Sequence, residues 1–220
     1  MKTLCILPAA GNATRMNGLP KFSLPIDENN LSLIENHIRN IEKYVDKIII
    51  ATKEENLHIF NNLKIGDKSE VIKVESISMS DTVLQVINYH ASERYILLMP
   101  DTYFMGENPH QYLANSNNFV DLIIFPIKEK QKGKLGQVEI DNKFRVKDII
   151  DKSNECNYKY AWGALGFDNE LLKYLKKEDP HIGYAVKKSL HEKKVIAKLI
   201  ESEYFDCGTP NEYFDLIRKI

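Results

Sequence analysis

Met1-Lys2-Thr3-Leu4-Cys5-Ile6-Leu7-Pro8-Ala9-Ala10-Gly11-Asn12-Ala13-Thr14-Arg15-Met16, with Pro20-Lys21 close behind, opens the chain. Residues 3–7 are apolar or β-branched and closed by Pro8, the pattern of a buried strand. A run of small side chains follows, over which backbone N–H groups can come close to a phosphate chain. Arg15 can fork onto phosphate oxygens, and Lys21 can add a point charge beside them. The same residues also suit a tight strand-to-helix connection with two solvated cations. The segment is not a Walker loop, because the closing Gly-Lys-Ser/Thr is missing, and it is not a Gly-x-Gly-x-x-Gly fingerprint.

The surrounding sequence extends the strand into an alternation. Residues 47–51, 70–74, 95–99 and 120–125 read as further strands. Between them, Ser32 and Glu35 have capping-box spacing ahead of Ile34, Ile38, Ile41 and Val45. A second helix is expected over 54–63, and a third from Ser80 or Asp81 with Val83, Val86 and Ile87 on one face. Such alternation predicts a mostly parallel sheet with helices on both faces.

The pattern changes after Pro126. A basic loop over 128–134 precedes two strands, 137–141 and 144–150, around the polar pair Asn142-Lys143, which reads as a hairpin with a two-residue turn. Further strands are expected over 160–167 and 195–199, with a helix over 182–191 between them. Thr209 as N-cap, Pro210 at the first helical position and Glu212 at the third announce a last helix. The expected fold is α/β: a three-layer α/β/α sandwich with a mostly parallel mixed central sheet and a small β-rich insertion. With no repeat, low-complexity tract or linker, one domain over 1–220 is expected: 1–126 for nucleotide, a β-rich 127–205 for substrate, and 206–220 with the closing carboxylate and helix.

Composition narrows the class. The chain has 220 residues, 43% hydrophobic and 28% charged, with 30 basic against 31 acidic side chains. That balance speaks against a partner held by its phosphate backbone, so no nucleic acid is expected. No apolar run approaches the ~20 residues of a bilayer span, so no membrane partner is expected either. The N-terminal apolar stretch is too short for a signal peptide. Three scattered cysteines (Cys5, Cys156, Cys207) argue against a disulfide scaffold or zinc knuckle and for a cytoplasmic location. Six histidines show no metal-ligand spacing, and His110, His181 and His191 are expected to be solvated. Trp162 reads as core, with stacking on a ligand as the alternative, and the lysines of 128–134 as a solvated loop.

Two carboxylates remain. Asp101 follows the strand at 95–99, and ligands of parallel sheets bind outside the strands' carboxyl ends. Hard oxygen ligands plus phosphates are how Mg²⁺ is held, although a turn aspartate would look the same. Asp206, in Tyr204-Phe205-Asp206-Cys207-Gly208-Thr209-Pro210, caps nothing obvious and would complete such a site, with a structural role as the alternative.

In this order the motifs resemble the sugar-1-phosphate nucleotidylyltransferases, which share a glycosyltransferase-A-like, Rossmann-like fold. The family's Ala-Ala-Gly-x-Gly-Thr-Arg-Met/Leu and Pro-Lys are similar to Ala9-Ala10-Gly11-Asn12-Ala13-Thr14-Arg15-Met16 and Pro20-Lys21. Its strand-terminal metal aspartate looks like Asp101, its Tyr-Gly-x-Val-x-x-Asp like Leu135-Gly136-Gln137-Val138-Glu139-Ile140-Asp141, its Glu-Lys-Pro like Asp151-Lys152-Ser153, and its Asp-x-Gly-Thr-Pro like Asp206 to Pro210. The resemblance implies transfer of a nucleoside monophosphate from a nucleoside triphosphate to a phosphorylated small molecule, a sugar 1-phosphate, releasing pyrophosphate. Substrate oxygen would attack the α-phosphorus in line, with catalysis by positioning and charge neutralisation. Arg15 would hold the triphosphate, Lys21 the α-phosphate or the incoming phosphate, and Asp101 with Asp206 the Mg²⁺. The segment Ala9 to Thr14 and the helix start at Ser80 and Thr82 would frame the nucleotide, with a pyrimidine base favoured. Lys152 would grip the acceptor's phosphate, and Gly136 and Gly163 would leave room for its body. A homo-oligomer is compatible with this reading.

The chain departs from the family at several places. Ala13 stands where glycine is usual, and a Cβ at positive φ costs on the order of 1 kcal/mol. Leu135 replaces an aromatic, and Asp151-Lys152-Ser153 lacks the proline. Alternatives are a cytidylyltransferase acting on phosphocholine or an alditol phosphate, and a non-catalytic nucleotide-binding module. The Asp-Ala-Ala-Arg segment of the isoprenoid type is missing, as is the Asp-x-Asp of glycosyltransferases. No hexapeptide repeat is present, so an appended acyltransferase β-helix is not expected.

Overall fold

The computed structural model describes residues 2–201 and 203–220. In chain order the elements are β1 (Thr3–Ala9), α1 (Leu33–Ile41), β2 (Lys47–Thr52), β3 (Ser69–Lys73), α2 (Met79–Tyr89), β4 (Arg94–Leu98), β5 (Thr102–Met105) and α3 (His110–Asn115). They continue with β6 (Val120–Pro126), β7 (Gly136–Ile140), β8 (Val146–Asp151), β9 (Tyr160–Asp168), α4 (Gly183–Ser189), β10 (Val195–Leu199), β11 (Glu203–Asp206) and α5 (Pro210–Ile217). The central sheet runs β10-β6-β9-β4-β1-β2-β3, with the β7–β8 hairpin attached through β9. In that row only β9 runs against its neighbours, β4 and β6, so the sheet is mixed but mostly parallel.

Alternation along β1 explains the three layers. Leu4 and Ile6 face one core with Val83 and Val86 of α2 and Ala185 and Val186 of α4. Cys5 and Leu7 face the other core with Ile34, Ile38 and Ile41 of α1 and Leu113 of α3. The two helix caps expected from sequence are present. The Ser32 hydroxyl accepts from Glu35 N while the Glu35 carboxylate accepts from Ser32 N at 2.9 Å, and the Thr209 hydroxyl accepts from Glu212 N.

Several local expectations need correction. Helix α2 starts at Met79, because Ser78 and not Ser80 caps it by accepting from Asp81 N at 3.0 Å. Residues 54–62 form 3-10 turns in place of an α-helix. The hairpin loop covers 141–145: Asp141 Oδ1 accepts from Lys143 N and Arg145 N at 2.8 and 3.0 Å, and Phe144 takes a left-handed φ of 56°. His110 is not solvated but buried, with Nε2 3.0 Å from Nδ1 of the equally buried His37. His181 is buried too, with Nε2 close to the Asp151 carboxylate, whereas His191 is exposed as expected. Lysines 128, 130 and 134 are ion-paired to Glu203, Asp215 and Glu212, which straps their loop onto β11 and α5.

Candidate active site

The site forms where β1, β2 and β4 release the chain at their carboxyl ends. Past Ala9 the backbone turns through Ala13 at φ 48° and ψ 31°, the left-handed conformation that glycine would adopt without steric penalty. The turn is held by hydrogen bonds from Met16 N and Gly18 N to Ala13 O, at 2.8 and 3.1 Å. A Cβ on Gly11 would meet nothing within 4 Å, so one face of the loop backbone is open to an approaching group.

Charged groups from both ends of the chain converge beside this loop. Lys21 Nζ lies 3.1 Å from Asp101 Oδ2, with both side chains partly buried. Strand β11 pairs antiparallel with β5, setting Asp206 opposite Thr102, and Cys207 N donates to Asp101 O at 3.0 Å. Asp206 therefore sits beside Asp101. Burial, then the negative charges of Asp101 and Glu212, push its carboxyl up to about 6 against the pull of Lys21 and Arg15. Arg15 is exposed and reaches the same place: a Cβ on Gly208 would come within 2.9 Å of its guanidinium and 3.2 Å of the Glu212 carboxylate.

Two adjacent carboxylates, of which Asp101 helps to raise the proton affinity of Asp206, are a donor set that a hard divalent cation would relieve. Among the described residues no group of three or more His, Cys, Asp or Glu is placed for a metal. Two carboxylates are a donor set compatible with Mg²⁺, whose remaining ligands are commonly waters and substrate phosphates.

A cavity of about 310 Å³ opens between the loop and the start of α2, with Gly11, Asn12, Lys53, Ser76, Ile77 and Thr82 among its walls. Ala10 also lines it, whereas Ala9 and Ala13 line a smaller recess of about 70 Å³ with Lys21 and Asp101. Thr14 is exposed and lines neither space. Ser80 is fully buried and off the cavity wall, its hydroxyl without a partner among the described residues. Sequence reasoning missed Lys53, which ion-pairs with Glu55 and donates to Asn12 Oδ1, and Ser76, whose hydroxyl lies 2.7 Å from that of Thr82. Lys53 follows β2, the parallel neighbour of β1, and that position was the available signal. Glu212 was read only as a helix-start residue, yet its carboxylate accepts from Lys134 at 2.5 Å and from the Thr209 hydroxyl at 2.8 Å.

The expected acceptor residues sit around β7 and β9. Lys152 is exposed at φ 46°, its N–H donating to Leu135 O at 3.2 Å. The space at the two glycines is taken by the protein's own rings. A Cβ on Gly136 would stand 2.2 Å from Trp162 Nε1, and one on Gly163 2.5 Å from the Tyr204 ring.

The profile of the family described as nucleotidyl transferase matches residues 5–220. The chain belongs to this family. Among solved structures, a UDP-glucose pyrophosphorylase in complex with UDP-glucose superposes with a TM-score of 0.86 at 16% identity, covering 100% of this chain and 98% of that one. A putative glucose-1-phosphate thymidylyltransferase from Bacillus anthracis gives 0.82 at 15% identity, over 99% and 94% of the two chains. Both likenesses are of fold. The bifunctional protein GlmU of Methanococcus aeolicus is 22% identical over 222 residues, 96% of this chain and 52% of its own length, so the chain spans about half of that relative. No helix among the described residues is long and apolar enough to cross a membrane.

Proposed function

We propose that this nucleotidyl transferase moves a nucleoside monophosphate, with a pyrimidine base, from its triphosphate to a sugar 1-phosphate, giving a nucleotide sugar and pyrophosphate. The observation that carries the reading is the convergence of Lys21, Asp206 and Arg15 around Asp101, which lines the loop cavity. The family and the substrates in the names of its structural neighbours support the substrate class.

In this reading the small-residue loop holds the triphosphate against its open backbone face, and Arg15 draws in the terminal phosphates. Lys21 offsets charge at the α-phosphate and aligns the incoming oxygen, which is where positioning gains most of the rate. Asp101 and Asp206 would hold Mg²⁺, which supplies charge stabilisation to phosphate oxygens when bound. Lys152 takes the acceptor's phosphate. Ala13 no longer favours a non-catalytic module, since the alanine adopts the left-handed turn in place of glycine.

A thermal-shift panel of CTP, UTP, dTTP, GTP and ATP with Mg²⁺ tests the nucleotide half. A ligand at a hundred times its Kd adds about 2.7 kcal/mol of stability. The largest shift is expected from a pyrimidine triphosphate; a purine in first place would overturn the base, and no shift would overturn the reading. Pyrophosphate release with hexose 1-phosphates, against phosphocholine and ribitol 5-phosphate, tests the acceptor half.

A further inference from the structure

The acceptor side carries a buried polar cluster that the steps above leave unused. Register pairs Gly136 of β7 with Asp151 of β8, and Gln137 with Ala161 of β9, which brings Trp162 alongside. Only glycine at 136 lets the indole nitrogen come down onto the β7 backbone, where a Cβ would be 2.2 Å away. The other side of the indole lies near Gly183, whose Cβ would be 3.4 Å from Trp162 Cζ2 and 3.0 Å from His181 Nδ1. The Trp162 and His181 rings are 6.2 Å apart, and His181 Nε2 lies close to the Asp151 carboxylate without a hydrogen bond to it.

Trp162 is 8% exposed and His181 5%, yet the indole N–H and both ring nitrogens of His181 have no hydrogen-bond partner among the described residues. Buried polar atoms are nearly always satisfied, so three neighbouring orphans point to a partner from outside the chain. Their position says which partner. Met79 N donates to Pro180 O at 3.2 Å and the Ser78 hydroxyl to Lys177 O at 2.6 Å, which fastens the segment carrying His181 to the start of α2, a wall of the nucleotide cavity.

We propose that Trp162 Nε1 and His181 Nδ1 read hydroxyl groups on the acceptor; this rests on the nucleotidyl-transfer reading. A hydroxyl both donates and accepts, so neighbouring hydroxyls on one molecule can satisfy an indole donor and an imidazole nitrogen together. A quaternary ammonium can satisfy neither. The acceptor class is therefore a hydroxyl-rich phosphate ester, a sugar phosphate or an alditol phosphate, and not phosphocholine. Both nitrogens are covered, so reading them requires a local displacement when the acceptor binds.

Trp162 is the chain's one tryptophan, so its indole ¹⁵N–¹H resonance reports this site without a competing signal. The full chain, with Mg²⁺ and the α,β-methylene analogue of the best-binding triphosphate, is titrated with glucose, galactose and mannose 1-phosphates, ribitol 5-phosphate and phosphocholine. A saturable shift of the indole resonance with a hexose phosphate or ribitol 5-phosphate, and none with phosphocholine, is expected; which of the two shifts it separates sugar from alditol. Trp162→Phe is expected to raise the KM for that acceptor roughly tenfold and leave the nucleotide KM unchanged. An indole unmoved by every hydroxylated phosphate, or moved equally by phosphocholine, overturns the proposal, as does an unchanged acceptor KM in a folded Trp162→Phe. With triphosphate stabilisation intact, such a result removes this proposal alone; loss of that stabilisation removes the transfer reading with it.

Discussion

Lys21 Nζ and Asp101 Oδ2 meet at 3.1 Å across a separation of 80 positions in the sequence. The contact places one cation between the loop after β1 and the turn after β4, beside a second carboxylate, Asp206. An arrangement built only for stability would gain little from it, since a partly exposed pair contributes at most about 1 kcal/mol. In the proposed reaction its value lies in holding a phosphate-directed charge in place.

Lys21→Ala should therefore lower kcat by about 10²–10³, as loss of a transition-state donor does, and change the nucleotide KM much less. Asp101→Asn should abolish Mg²⁺-dependent turnover with a Tm within a few degrees of wild type. Steady-state kinetics and a melting curve check both. A Lys21 variant altered in KM alone would make that lysine a binding residue only.

Ala13 at φ 48° holds a conformation that costs an L-residue about 1–2 kcal/mol. Ala13→Gly removes that strain but gives the unfolded chain more freedom, which offsets part of the gain. A net stabilisation of about 0.5–1 kcal/mol is expected, or roughly 1–4 °C in Tm for a chain of this size. Ala13→Val should move Tm the other way. Equal melting temperatures for all three would show that the loop relaxes out of the left-handed turn.

The layers of the fold were legible because each carries a local signature. Leu4 and Ile6 alternate with Cys5 and Leu7, and Ser32 with Glu35 and Thr209 with Pro210 mark helix starts on their own. Strands β5 and β11 were not legible. Each has four residues and pairs only with the other, Asp206 opposite Thr102, so no nearby sequence announces either. His110 reads as a surface residue because its burial depends on α1 meeting α3. At the candidate site, charge and position leave Asp101, Asp206, Arg15 and Lys21 open to structural readings, and the family resemblance is what selects them. The roles of Gly136 and Gly163 were not legible, because Trp162 and Tyr204 fill the space beside them.

Arg94 and Asp121 form an ion pair at 2.8 Å in which both side chains are essentially inaccessible. Tyr112 and Asn118 donate to the other carboxylate oxygen at 3.0 and 2.8 Å, and Arg94 donates to the carbonyls of Leu113 and Asn118. Asp121→Ala leaves a buried guanidinium without its counter-charge and should cost about 3–5 kcal/mol, a fall of roughly 10 °C. Arg94 begins β4 whereas Asp101 follows its far end, so kcat at low temperature should be unchanged. Lost activity with an unchanged Tm would contradict this placement.

Acid should destabilise the protein through the buried histidine pair. Burial pulls His37 down to about 4 and His110 well below 6.5, the latter helped by the charge of His37. Unfolded histidines titrate near 6.5, so between there and about 4 the unfolded chain binds protons that the folded chain refuses. Stability is then full above 6.5 and falls as pH drops, by up to about 1.4 kcal/mol per pH unit for each histidine. Asp206 acts in the opposite sense: raised to about 6, its carboxyl takes a proton in the folded state first. Below pH 6 it cancels about one histidine, leaving a net loss near 1.4 kcal/mol per pH unit. Urea unfolding at pH 7, 6 and 5 measures the slope, and His110→Gln should flatten it. A wild-type stability that stays level from pH 7 to 5 would mean the pair opens to solvent and titrates in the folded protein.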